Sequence, residues 1–218
     1  MKSKPKLLIW GAGGHGRVVA DAVVCAGRYE LIGWLDDAHP ERAGEIFEGA
    51  AILGGIECLP RHGAQGIEWL LVAVGHCATR ARLAASAVEQ GLKLATIIHP
   101  AATVARSAVV GAGTFVAAGA VVAPGVRLGS NVIVNHGATV DHDGVVADAA
   151  HVCPGVHLAG NVRIGERAWV GIGASIIERV SVGADTVVGA GSVVIRDLPA
   201  GVVAYGCPAR IVWTGGLK

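Results

Sequence analysis

Aromatic side chains are scarce in this 218-residue chain: two Phe, two Tyr and five Trp make up 4% of it. A core with so few rings must be filled by Val, Ile, Leu and Ala, and apolar residues do reach 52%. Charge is thin as well, at 16%, and nearly balanced at a net +1. That balance gives no electrostatic ground for nucleic acid or an anionic membrane as partner. Long apolar runs are missing too. None approaches the roughly 20 residues that cross a bilayer, and the short run in MKSKPKLLIW is too brief for a secretory signal. The five cysteines, Cys25, Cys58, Cys77, Cys153 and Cys207, are odd in number and form no CxxC pair. They read as reduced thiols in a cytoplasmic protein. What the chain has in excess is glycine, 33 residues, as a turn-rich fold requires.

The second half carries a strict period. Every sixth residue from Ile98 through Val104, Val110 and Val116 to Val188 and Val194 is aliphatic, seventeen slots without a miss. A period of six suits neither a helix nor an alternating strand, so it belongs to a repeat architecture. A parallel β-helix satisfies it: each hexad makes one flat face, three hexads close one coil, and the aliphatic residue points inward. The fourth residue after each aliphatic is small or apolar as well, from Ala120 and Val126 to Ala174 and Val180, which lets a narrow triangular prism close. After Val194 the period lapses. LPAGVVAYGCPARIVWTGGLK should pack across the open end as a cap.

The first 97 residues follow another rule. LLIWGAGGHGRVVADAVVCAG reads as a buried strand, a glycine turn and a helix with an apolar stripe at Val18, Val19, Ala22, Val23 and Ala26, stopped by Gly27. LIGWLDD and IEWLLVAVG are further strands, TRARLAASAVEQGL a second helix, and KLATIIHP a last strand feeding the prism. This alternation describes a small open α/β unit with a parallel sheet. The boundaries expected are an α/β domain over 1–97 and a β-helix over 98–218, joined by a fixed junction near residues 96–103.

Two places carry chemistry. Gly11-Ala12-Gly13-Gly14-His15-Gly16 fits G-x-G-x-x-G where a strand turns into a helix, so a phosphate could approach the first free amides of that helix. Asp36 and Asp37 end the next strand, where a ribose-binding acid usually lies. A tight turn without ligand, with solvated acids, would use the same residues. A dinucleotide would need a larger sheet than this domain holds, so a mononucleotide or nucleotide-sugar fits better. The second place is the prism. Asn135-His136-Gly137 and Asp141-His142-Asp143 fall in successive hexads, each histidine near a corner. A corner histidine can be merely solvated. Here aspartates flank His142, able to hold one ring nitrogen and raise its basicity. Eighteen residues on, one coil away and about 4.8 Å distant, stands Gly160, whose amide no side chain blocks. A base beside an open amide donor is the pair that acyl transfer needs. His151 and His157 take final hexad positions, and Cys153, beside the inward Val152, reads as structural.

The hexads, the G-x-G-G-H-G opening and the D-H-D corner together resemble the bacterial nucleotide-sugar N-acetyltransferases and sialic-acid O-acetyltransferase-like proteins of the hexapeptide-repeat class. The resemblance spans nearly the whole chain. It implies a Rossmann-like α/β domain followed by an all-β left-handed parallel β-helix, a handedness opposite to the usual crossover preference. It also implies homotrimers with acetyl-CoA in clefts between neighbouring prisms, and no metal. By position, His142 is then the general base and Asp143 the acid that increases its basicity, although the family more often has glutamate there. His151 matches a histidine at the acetyl-CoA site, Gly160 the amide facing the thioester, and Ile172 and Ala190 positions lining the CoA channel. Gly13, Gly14, His15, Asp36 and Asp37 match residues gripping the nucleotide-sugar, and Gly54 lies in a loop the family also uses. YGCPAR resembles the family's terminal segment near the CoA nucleotide.

The function so implied is acetyl transfer from acetyl-CoA to the amine of a nucleotide-linked amino-deoxy sugar of the 4-amino-6-deoxy type, for bacterial surface glycans. O-acetylation of a sugar hydroxyl, of the sialic-acid type, would use the same histidine. A zinc lyase on the same prism, with His136, His142 and His151 as ligands, and a non-catalytic nucleotide-sugar sensor are the readings from other classes.

Overall fold

The computed structural model describes residues 3–58 and 66–214. In the α/β unit, β1 (Lys6–Trp10), β2 (Glu30–Leu35), β3 (Ile46–Phe47), β4 (Ala50–Gly54), β5 (Trp69–Val72) and β6 (Lys93–Leu94) form one sheet. The strand order is β3-β4-β2-β1-β5-β6, parallel except for the β3–β4 hairpin. Leu7, Leu8 and Ile9 on the central strand are fully buried, as a sheet covered on both faces requires. Helix α1 (Gly14–Ala26) covers one face with Val19 and Val23, and α2 (Cys77–Glu89) covers the other with Leu83, Ala84 and Ala87. Gly27 ends α1 in the left-handed conformation at φ 63°, a geometry that favours glycine. The second helix starts before the sequence suggests, because His76 caps it: its side chain accepts from the Thr79 N–H.

The prism consists of two-residue strands on three faces. Face one runs from Ile97–Ile98 through Phe115–Val116, Ile133–Val134, His151–Val152 and Trp169–Val170 to Val187–Val188. Face two begins at Thr103–Val104 and face three at Val109–Val110. Each strand pairs in parallel with the one eighteen residues on, as His151 does with Trp169. The periodic aliphatics are buried from Val116 to Val194, whereas Ile98, Val104 and Val110 at the starting end are half-buried. The turns have a signature of their own. From Val110 to Val188 the third residue after every aliphatic has positive φ, seven times glycine and seven times not, among them Asp143 at 59°. Non-glycine residues are uncommon in this region, so its regular recurrence reflects the demands of coil closure.

KLATIIHP is not one strand. Lys93–Leu94 pairs with β5, whereas Ile97–Ile98 pairs with Phe115–Val116 of the prism. The Thr96 hydroxyl donates to the Gly111 carbonyl at 3.0 Å where the chain changes sheets. The two halves share a core: Leu7, Ile9, Val19 and Trp34 pack in one cluster with Ile97, Phe115 and Ile133. The C-terminal segment also differs from a simple lid. Val202–Gly206 extends face one beside Val187–Val188 and then pairs in antiparallel fashion with Ala209–Thr214. Leu198, Val202 and Ala204 close the last coil, while Tyr205, Ile211, Val212 and Trp213 stay exposed. The last four residues of the expected cap lie outside the described residues. Among the described residues no helix is long and apolar enough to cross a membrane.

Candidate active site

His142 lies on the edge between faces two and three, in the turn between Thr139–Val140 and Val145–Val146. Its Nδ1 is 2.9 Å from Asp143 Oδ2. A carboxylate only accepts, so Nδ1 carries the proton and Nε2 keeps its lone pair. The hydrogen bond to Asp143, and then the charges of Asp141 and Asp143, hold the imidazole pKa above its usual value. The left-handed turn at Asp143 places its carboxylate beside the ring, and the His142 N–H donates to Asp141 Oδ1 at 2.7 Å. Nε2 faces Gly160 one coil away. A Cβ at Gly160 would stand 2.5 Å from it, so the ring occupies space that only glycine leaves open. The Gly160 N–H donates to no acceptor among the described residues. A base, its orienting acid and a free amide thus meet at one edge.

Beside this edge, face two carries an open groove of about 460 Å³ lined by Thr139, Asp141, His157, Ala159, Ser175 and Glu178. His157 Nδ1 lies 3.0 Å from the Thr139 hydroxyl at its floor. On the opposite edge of the same face, between faces one and two, Ile172 and Ala190 stack on consecutive coils through the Gly191 N–H to the Ile172 carbonyl at 2.8 Å. Ile172 is exposed there.

His151 belongs to neither edge. It faces outward from face one into the junction with the α/β unit and is 7% exposed. Its Nδ1 is 3.2 Å from the Gly75 carbonyl and its Nε2 3.2 Å from Asn135 Nδ2. His15, at the start of α1, joins it there with ring centroids 6.3 Å apart, and packs edge-on against Phe115. Burial, followed by the Arg80 charge, lowers the pKa of His15 to about 4 and of His151 to about 3. His15 Nε2 is buried without a hydrogen-bond partner among the described residues.

The glycine turn divides its labour. Gly11 has φ +116°, and Gly16 lies so close to the Gly11 carbonyl that no side chain fits. Gly13 and Gly14 have open space where side chains would be, and α1 begins at Gly14 without a side-chain cap, so its first amides stay available to an anion. A cavity of about 510 Å³ opens at the ends of β1, β2 and β5, lined by Trp10, Asp36, Asp37, Thr79, Arg82 and Ser86 among others. Asp36 accepts from the Ala38 N–H at 3.1 Å and pairs with Arg42 at 3.7 Å. Asp37 accepts from the Trp10 indole N–H and from the Ile56 N–H. Gly54 accepts the Asp36 N–H at 2.9 Å. Gly13, Gly14 and His15 do not line this cavity.

The structure therefore brings His142, Asp143 and Gly160 together, and separately Asp36, Asp37 and Gly54. It places Ile172 and Ala190 on another edge and His151 at the junction. Sequence reasoning overlooked Arg80. It sits on the buried stripe of α2 with Cys77, Leu83, Ala84 and Ala87, and a cation at that spacing was the available signal. One further group, Asp21 and Cys25 on α1 with His99 in the first coil, has ligand atoms within 4.8 Å of one another, but His99 Nδ1 already accepts the Ala101 N–H.

Comparison with known proteins identifies the family. Residues 6–87 match the PglD N-terminal domain, and residues 107–142 and 161–196 match the bacterial transferase hexapeptide (six repeats). The structure of PerB from Caulobacter crescentus, in complex with CoA and GDP-perosamine, is 40% identical with a TM-score of 0.90, covering 94% of this chain and 96% of that one. The acetyltransferase domain of PglB from Neisseria gonorrhoeae, in complex with acetyl coenzyme A, is also 40% identical with a TM-score of 0.90, covering 96% and 100%. The curated relatives match over short stretches, about a fifth of this chain and no more than a quarter of their own length. The galactoside O-acetyltransferase of Escherichia coli is 43% identical over 49 residues, 22% of this chain and 24% of that protein's own length. The chain belongs to the nucleotide-sugar N-acetyltransferase family, in which a PglD-type N-terminal domain precedes a left-handed hexapeptide-repeat β-helix.

Proposed function

We propose that this protein transfers the acetyl group of acetyl-CoA to the amine of a nucleotide-linked amino-deoxy sugar, with His142 as general base. The observation that carries the reading is the His142 ring, oriented by Asp143 and packed against Gly160, whose N–H donates to no acceptor among the described residues. His142 Nε2 takes the proton as the amine nitrogen bonds to the thioester carbon. The carbon–sulfur bond breaks, and the proton can pass on to the departing thiolate. The Gly160 N–H supports the negative charge that gathers on the carbonyl oxygen. No covalent bond to the protein is needed. General-base help of this kind is worth roughly 100- to 10,000-fold. GDP-perosamine, bound by the Caulobacter relative, illustrates the acceptor class.

We assign residues 1–97 to nucleotide-sugar binding, through Gly13, Gly14, His15, Asp36, Asp37 and Gly54, and residues 98–218 to acyl transfer. His151, Gly160, Ile172 and Ala190 serve the acetyl-CoA side. Because His142 occupies one edge of the prism while Ile172, Ala190 and the His151 junction lie elsewhere, one site containing all of them draws on two protomers. That arrangement supports a homotrimer. The testing experiment measures thiol release from acetyl-CoA against GDP-, UDP- and dTDP-linked amino sugars and the matching hydroxylated sugars. Turnover confined to an amino sugar supports the reading. Turnover confined to a hydroxylated sugar transfers the same machinery to O-acetylation.

A further inference from the structure

Arg80 is 1% exposed, yet no carboxylate among the described residues balances its charge. Its guanidinium is spread over five backbone carbonyls: Asn131 at 2.8 Å, Val74 and Gly75 at 2.9 Å, Ala149 at 2.6 Å and Ala150 at 3.1 Å. All five of its N–H donors are thereby engaged. Val74 and Gly75 belong to the loop between β5 and α2, whereas Asn131, Ala149 and Ala150 belong to turns of the prism. One side chain therefore ties the two halves together at the junction. A lysine has three donors in no fixed fork and cannot reproduce this set.

The Gly75 carbonyl has a second donor, His151 Nδ1 at 3.2 Å. A carbonyl only accepts, so Nδ1 carries the ring proton. Nε2 then accepts from Asn135 Nδ2 at 3.2 Å, and Asn135 Oδ1 accepts the His136 N–H at 2.9 Å, which fixes the amide's orientation. We propose that Arg80 is a positioning residue: by pinning the Gly75 carbonyl it holds the His151 ring in one tautomer and one orientation beside Asn135. Its kinetic consequence rests on the acetyl-CoA reading of His151; its geometric content does not.

Charge adds to this. The charged and titratable groups around the ring are Arg80 and His15, while Cys77 and Cys153 lie near the guanidinium. Burial and the Arg80 cation both keep His151 neutral.

The test is side-chain 15N NMR of the histidine-labelled full chain, compared among wild type, Arg80→Lys and Arg80→Gln. In the wild type His151 should keep its Nδ1 proton from about pH 8 to about pH 5. Arg80→Lys should give a mixture of tautomers, and Arg80→Gln a mixture that begins to titrate. The kcat/KM for acetyl-CoA should fall roughly tenfold in each, the cost of one oriented hydrogen bond. A wild-type His151 protonated on Nε2 overturns the proposal. So does a folded variant of either kind with the wild-type tautomer and kinetics. If the wild type acetylates no amino sugar, the functional reading fails while the spectra still decide the role of Arg80.

Discussion

The imidazole of His142 fills the space where Gly160 lacks a side chain: a Cβ there would meet Nε2 at 2.5 Å and Cε1 at 2.6 Å. The contact is with the end of an exposed side chain, and the backbone at Gly160 is not left-handed. Alanine at this position should therefore fold, push the ring aside and leave it misplaced relative to the amide. A displacement near 1 Å can cost about 100-fold in rate. Gly160→Ala is expected to lower kcat by about that factor, with a melting temperature close to wild type. A variant of unchanged kcat would remove this edge from the chemistry.

Asp143 makes a pH prediction with a definite sign. Its hydrogen bond raises the His142 pKa, and His142 in its proposed role as base works only when neutral. Activity should thus decline as pH falls through a value above the ordinary histidine pKa. Asp143→Asn suits the left-handed turn, since asparagine tolerates that region well. It removes the charge, so the acidic limb of the kcat/KM profile should move to lower pH while the plateau drops. A limb that stays in place would assign it to another group.

The repeat made the prism legible residue by residue, because an inward aliphatic at every sixth position fits almost no architecture but a three-sided coil. The His142–Asp143–Gly160 edge followed from the same period, since a fixed coil length converts sequence separation into stacking. His151 was harder. Its hexad position gives its face but cannot reveal that the α/β unit covers that face and turns an outward histidine into a 7% exposed one. Arg80 and the shared core of Leu7, Ile9, Phe115 and Ile133 were hidden for the same reason: contacts between two architectures have no period. The C-terminal hairpin escaped because ends of solenoids are free of the repeat that shapes the rest.

The buried histidines should make stability depend on acid. In the folded chain His15 titrates near about 4 and His151 near about 3, against an ordinary value of 6.5. Below 6.5 the unfolded chain binds protons that the folded one refuses, so stability falls with pH, continuing to about 4 for His15 and about 3 for His151. One unit below the ordinary value this amounts to about 3 kcal/mol for the pair, or several degrees of melting temperature. Calorimetry between about pH 7.5 and about pH 5.5 should show the decline, and His151→Gln should remove roughly half of it. A flat profile in the wild type would mean that neither ring is held neutral.

Gly14 separates ligand binding from folding. It opens α1, and nothing lies within 4 Å of the place a Cβ would take. Alanine is the better helix former by up to about 1 kcal/mol, so Gly14→Ala should melt no lower than wild type. If the first turn of α1 receives the phosphates, the added methyl should raise the nucleotide-sugar KM several-fold and leave the acetyl-CoA KM alone. Equal KM values would place the phosphates elsewhere.

The separation of His142 from His151 within one chain gives a test of subunit sharing. His142 stands on the edge between faces two and three, while His151 is enclosed at the face-one junction by Gly75 and Asn135. If a site takes its edge from one protomer and its junction from the next, His142→Ala and His151→Ala damage complementary halves. Each homo-oligomer should be nearly inactive. If the chain assembles as the proposed trimer, unfolding and refolding the two in equal amounts, or expressing them in one cell, gives one intact site in each hybrid trimer, about a quarter of the sites in the whole mixture. Activity should recover towards that fraction of wild type, in proportion to mixing. Recovery requires exchange of subunits, so mixing the folded homo-oligomers without unfolding is the control. No recovery from a mixture proven to contain hybrid trimers would confine the site to a single chain, and the edge carrying Ile172 and Ala190 could then not share a site with His142.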